Sequence, residues 1–175
     1  MKSSTTQTSA TQTSTVAAIA GPTRFMTRLA GMLVNDIDAS QFADRLGTTI
    51  NHPAFVLGHC AYYAGTYMRL IGGEIELSEN EKILYEMGVE CQDDASLYPA
   101  KDDAIATFND RINTVADFIE SCDESVLARS SEGAWFADHF PTMGGGAVFM
   151  LIGHITYHLG QISAWRRVAG MGEAD

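Results

Sequence analysis

The stretch GHITYHLGQISAWRRVAG, residues 153–170, decides how the rest of the chain is read. It reads as a helix closed by Gly170, and it places His154 and His158 one turn apart. Advancing about 100° per residue from His154 puts His158 at about 40°, Gln161 at about −20° and Trp165 at about 20°. Met150 and Leu151 fall on the same side, so the spacing predicts histidines on an apolar, inward stripe. Imidazoles at i and i+4 have Cβ atoms about 6 Å apart and can lean toward one cation. The zinc peptidase motif H-E-x-x-H uses the same spacing, but position 155 is Ile and 157 is Tyr. The built-in general base of that motif is missing, so HITYH is not read as a zinc protease.

Two ligands seldom hold a metal alone, and a third should come from a facing helix. The segment NHPAFVLGHCAYYAGTYMRLIGG, 51–73, offers His59 amid apolar neighbours. Asn51 is a candidate N-cap, Pro53 suits a first helical turn, and Gly72–Gly73 give a C-terminal stop. His52 precedes Pro53, where capping suits it better than ligation. His139 falls in the irregular SSEGAWFADHFPTMGGG. The competing reading is a set of core histidines, each bonded to a neighbouring polar group.

The remaining elements are helical. TVAAIAGPTRFMTRLAGMLVND, about 15–36, carries Phe25, Leu29, Met32 and Leu33 at helical spacing, with Pro22 at a start or kink. DASQFADRL extends the helical pattern after a restart at Asp38. Ser78 and Glu81 have the capping-box spacing of a short helix. A long helix over 101–122 places Ile105, Phe108, Ile112, Val115, Phe118 and Ile119 on one face. The last helix is expected from Ala147 to Ala169, with Met143–Gly146 as a loop over the site mouth. No strand pattern or internal repeat is evident. These stripes predict an all-α fold, a four-helix bundle in which the long acidic connection 74–99 serves as a crossover.

Length fits one domain, expected over 16–172, behind a low-complexity Ser/Thr/Gln tail over 1–15. The chain has 11 Lys and Arg against 22 Asp and Glu, a net charge of −11. Residues 74–138 hold 17 of the acids and four bases. Such a surface repels phosphate backbones and anionic headgroups, so neither nucleic acid nor membrane is an expected partner. Cys60, Cys91 and Cys122 form no C-x-x-C or disulfide framework. With no signal-peptide pattern and no span of apolar residues long enough for a bilayer, the expected location is cytoplasmic.

The two histidine segments resemble signatures of the DinB/YfiT-like superfamily. NHPAFVLGHCAYYAGTYMRLIGG is similar to its second helix, with an Asn-His-Pro start and a Leu-Gly-His. LIGHITYHLGQISAWRRVAGM is similar to its C-terminal helix, with His-x-x-x-His-x-Gly-Gln, an Arg pair and Gly. YEMGVECQDDASLYP, 85–99, resembles its linker, and the likeness runs over about 16–171. The resemblance implies a bundle with one crossover and a divalent metal held by His59, His154 and His158. It implies a homodimer acting on a small-molecule substrate. Known activities in the superfamily include transfers and isomerisations dependent on low-molecular-weight thiols.

Three neutral imidazoles leave a position open for water or substrate. The nucleophile would then be a metal-bound water or thiolate, giving hydrolase or thiol-dependent S-transferase chemistry. The ligand set does not select the ion: zinc and nickel stand first, with iron, manganese and copper also open. No acid lies on the His154 face, so Gln161 and His139 are the candidates for orienting a ligand from outside the coordination sphere. Arg166 and Arg167 read most simply as partners of the helix C-terminus. The ion should be lost below about pH 6 as free imidazoles protonate. The alternative function is a non-catalytic, stress-related or small-molecule binding bundle with a structural metal or none.

Overall fold

A computed structural model describes residues 14–172, so most of the low-complexity tail lies outside the described residues. The described chain is helical and contains no strand, only one isolated bridge between Ser130 and Thr142. Among the described residues no helix is long and apolar enough to cross a membrane.

Helix α1 spans Thr15–Val34 and starts where the Ser14 side chain accepts the Ala17 N–H at 3.2 Å. Pro22 lies within it. Its buried face is Ile19, Thr23, Met26, Ala30 and Val34, a run with helical period. The Thr23 hydroxyl is satisfied inside that face by donating to the Ile19 carbonyl at 2.8 Å. Phe25 and Met32, expected in the core, are instead exposed, with Leu29 and Leu33 half-buried. Both faces of α1 carry apolar residues, and the face with small side chains allows the closer approach. The continuation expected after Asp38 is also overturned. Asp38 accepts from both the Ser40 N–H and its hydroxyl, which closes a 3-10 turn at Ala39–Gln41. Leu46 and Gly47 then take left-handed φ values of 56° and 66°, which no helix tolerates.

Helix α2, Pro53–Leu70, is capped by His52, whose Nδ1 accepts the Phe55 N–H at 3.1 Å. Its end comes at Gly72, with φ of 102°. Helix α3, Glu79–Tyr85, has the predicted capping box between Ser78 and Glu81. Helix α4, Lys101–Ser121, buries Phe108, Ile112, Val115 and Ile119 as its stripe predicts. The Lys101 ammonium donates to the Asn35 and Ile37 carbonyls at 2.8 and 2.6 Å, fastening α4 to the end of α1. A short α5, Glu124–Ala128, precedes the irregular segment.

The last helical run starts earlier than expected. Met143–Gly146 is not a loop: α6 spans Met143–Ala147, capped by Thr142. Gly146 lies against Phe136, where a Cβ would come within 2.4 Å of the ring. A π-helical segment, Val148–Gly153, follows, and α7 spans His154–Val168. Helix α1 packs on α4 and α7, and α2 packs on α3, α4 and α7. The buried Arg166 joins α7 to the end of α1 by donating to the Leu33 carbonyl at 3.0 Å and pairing with Asp36. This contact replaces the helix-dipole role read from sequence for Arg166, while Arg167 is exposed.

Candidate metal centre

The core stripe of α7 is Ile155, Leu159, Ile162 and Trp165. His154 and His158 flank its mean direction, by about 85° and 45° at 100° per residue, and are half-buried. They therefore line the border of the core, not its centre as the helical wheel predicts. The difference comes from the π-helical turn. There the His154 N–H bonds to the Phe149 carbonyl, five residues back, which breaks the regular phase relating Met150 and Leu151 to the histidines. A border position keeps one side of the rings open to an incoming molecule.

His59, on α2, is buried and faces both rings. The ring centroids of His59 and His158 are 4.4 Å apart, as are those of His154 and His158, and those of His59 and His154 are 5.2 Å apart. One nitrogen of each ring lies within 4.8 Å of the other two, so the three side chains could hold a metal ion. His59 Nε2 and His154 Nε2 are 3.3 Å apart. Two ligands of a tetrahedral ion with bonds of 2.0–2.1 Å are separated by about 3.3–3.4 Å. That pair is thus already spaced as a coordination edge.

The neighbours set the tautomers. His59 Nδ1 lies 2.8 Å from the Tyr85 carbonyl. A carbonyl only accepts, so Nδ1 carries the proton and the Nε2 lone pair points to the cluster. His158 Nδ1 lies 3.3 Å from Gln161 Oε1, which also accepts from Asn51 Nδ2 at 3.1 Å. With Oε1 as acceptor, His158 likewise keeps its proton on Nδ1 and frees Nε2. His154 Nδ1 is buried with no hydrogen-bond partner. With its proton on Nε2 the His154 ring donates to His59 Nε2; with the proton on Nδ1, Nε2 is a third free lone pair facing the cluster. Three imidazole nitrogens so placed fit a divalent ion.

Burial holds the rings neutral. It lowers the His59 pKa to about 4 and the His154 pKa to about 3, with the neighbouring His158 adding to both shifts. Burial lowers the His158 pKa too, against the Gln161 hydrogen bond. At neutral pH the cluster therefore carries three free lone pairs and no proton that an ion must displace.

Of the other sequence candidates, Gln161 stands beside His158 as above, whereas His139 is exposed, its ring 6.4 Å from Phe140 and outside the cluster. Cys60 is fully buried next to His59 in sequence, its thiol pKa pushed up by burial, and it is not part of the cluster. Asn51, read as an N-cap, reaches Gln161 instead and leaves capping to His52. Sequence gives Tyr63 a packing role and gives no sign of the parts played by Tyr85 and Gly58. Tyr63 packs its ring 4.8 Å from His59 and 5.4 Å from His154. Gly58 gives Tyr85 its place, because a Cβ there would lie 2.2 Å from the Tyr85 ring. A glycine inside a helix flanked by apolar residues is the signal that marks such a close approach.

Fold and site together define a helical protein with a three-histidine cluster able to hold a metal. Residues 23–162 match the DinB superfamily, and the chain belongs to that family. No curated protein and no solved structure matches the chain.

Proposed function

We propose that this protein is a divalent-metal-dependent enzyme that acts on a small molecule by thiol-dependent S-transfer or by hydrolysis, with His59, His154 and His158 as the metal ligands. The observation that carries the reading is the convergence of three neutral imidazoles at the edge of the core, two of them 3.3 Å apart through Nε2. An ion held there would acidify a water or thiol reaching its open position.

The chain's own residues set the conditions for that chemistry. Tyr85 and Gln161 fix the rings of His59 and His158 through their Nδ1 protons. Tyr63 accepts the Met87 N–H at 2.8 Å and so keeps its own hydroxyl proton to donate toward a bound molecule. Phe55, stacked at 5.8 Å on His59, shields the inner side of the cluster from water. Among the described residues the cluster holds no carboxylate and no fourth ligand. This favours thiol transfer over hydrolysis, since transfer needs less of a protein base. It also disfavours a purely structural ion, whose sphere would be closed.

The finer architecture belongs to the same reading. The contacts of α1 and α2 with both α4 and α7 support a four-helix bundle, with the segment containing α3 as its crossover. A homodimer in the cytoplasm, with the domain running over 16–172, completes the proposal. The test is a screen of small electrophiles with several low-molecular-weight thiols, using zinc- and nickel-loaded protein. Thiol consumption that needs the metal and disappears in His158→Ala supports the function. Fully loaded protein that turns over none of them overturns it.

A further inference from the structure

Along α2, His59 does not stand alone. Tyr63, Thr66 and Leu70 follow it at four, seven and eleven residues, which puts all four on one face of the helix. The last three line a cavity of about 510 Å³ whose other walls include Tyr67, Trp135, Phe136 and Met150. The size suits a small organic ligand. Tyr63 is a wall of both spaces, since its ring touches His59 and His154 as well. A second link runs from His154 to Phe149 at 6.3 Å and from Phe149 to Trp135 at 5.9 Å. The cavity and the histidine cluster are thus neighbouring parts of one surface.

Two features of the cavity point to what fills it. Trp135 is 60% exposed although edge contacts with Phe136 at 5.5 Å and with Phe149 hold it in place. A tryptophan kept at a cavity wall with that much ring in solvent offers a flat apolar partner its largest gain. Arg69 is the one charged residue among the lining side chains, and among the described residues it has no ion pair. In a chain of net charge −11 such a cation marks an anionic partner. Ten residues separate His59 from Arg69, about 15 Å along the helix axis.

We infer that this cavity binds the body of the substrate: an elongated molecule with a flat apolar middle over Tyr63 and Trp135, an anionic group at Arg69 and its reacting end at the histidines. The inference deepens the function proposed above and rests on it for the reacting end. The probe is 2-naphthoate, with neutral 2-naphthamide as its comparison, titrated calorimetrically into metal-loaded full-length protein. Arg69→Gln should weaken 2-naphthoate by about threefold to fivefold and leave 2-naphthamide unchanged. Trp135→Ala should weaken both by about fivefold. Both side chains are exposed, and metal content should stay at the parent level in both variants. Naphthyl proton resonances should broaden in cobalt-loaded protein and stay sharp with zinc. Variant-sensitive binding in protein that takes up no metal would support the cavity and overturn the three-histidine enzyme. Parent-like affinity in both variants, or no broadening in cobalt-loaded protein, would overturn the inference.

Discussion

Replacing Gly58 with alanine separates the role of Tyr85 in the metal centre from its role in packing. A Cβ at position 58 would lie 2.2 Å from Tyr85 Cζ and 2.5 Å from its hydroxyl, whereas ordinary contact starts at 3.4 Å. The ring must therefore retreat by about 1.2 Å, the difference of those two distances. Tyr85 is only 4% exposed, so it has little room to do so without moving its backbone. If the carbonyl follows, its 2.8 Å bond to His59 Nδ1 opens to about 4 Å, outside hydrogen-bonding range. Overpacking costs about 1–3 kcal/mol, and replacing a helical glycine by alanine returns about 1 kcal/mol. The net loss of stability is thus about 0–2 kcal/mol, while losing the partner that orients a ligand lowers metal affinity about 10–100-fold. Gly160→Ala is the control, because a Cβ there meets nothing within 4 Å. It should gain about 1 kcal/mol with unchanged metal affinity. Competition titrations against a chromophoric chelator, alongside urea melts, read both quantities. If Gly58→Ala binds metal within about twofold of the parent, the carbonyl does not orient His59 and the reasoning fails.

Gln161→Ala should lower metal affinity about tenfold with little change in fold, measured by the same chelator competition; an unchanged affinity would remove Gln161 from the centre. Asp36→Ala leaves the buried Arg166 without its carboxylate and should cost about 3 kcal/mol in a urea melt, the low end for a broken buried pair because Asp36 remains largely exposed. Acidification should destabilise the metal-free protein. Burial lowers the His52 pKa to about 4 from 6.5, so the unfolded chain takes up that proton first. Stability is then complete above pH 6.5 and falls between 6.5 and 4, by about 3 kcal/mol for this residue alone. Thermal melts that stay flat from pH 7 to about 4.5 would contradict this. The same burial acts on the cluster, where protons compete for His59 only near pH 4 and for His154 only near pH 3. Retention of the ion at pH 5.5 to 6, read by dialysis and elemental analysis at about one equivalent, replaces the release expected from free imidazoles.

The features that sequence revealed are those written in side-chain spacing. The α4 stripe of Phe108, Ile112, Val115 and Ile119 has one apolar face and a polar back, so its orientation follows from period alone. Helix α1 has apolar residues on two faces, and Thr23 and Ala30 outcompete Phe25 and Met32 for the interior because small side chains let helices approach. Hydrophobicity gives no hint of that preference. The histidine spacing was legible, as was the choice of His59 as their companion. The π-helical turn at Val148–Gly153 was not, because its residues are ordinary helix and strand formers. Nor was the Tyr85 carbonyl, a backbone atom that every residue carries. Helical glycines 58 and 146 were the available clues to tight neighbours: Gly58 lies under the ring of Tyr85 and Gly146 under that of Phe136.

The proposed function stands on one divalent ion bound by His59, His154 and His158. Its most direct measurement is elemental analysis with cobalt substitution on protein purified without a histidine tag. The expected result is about one equivalent of divalent metal per chain, visible absorption of the cobalt form typical of a low-coordinate nitrogen site, and loss of both in His158→Ala. Less than about half an equivalent, unchanged by His158→Ala, would contradict it.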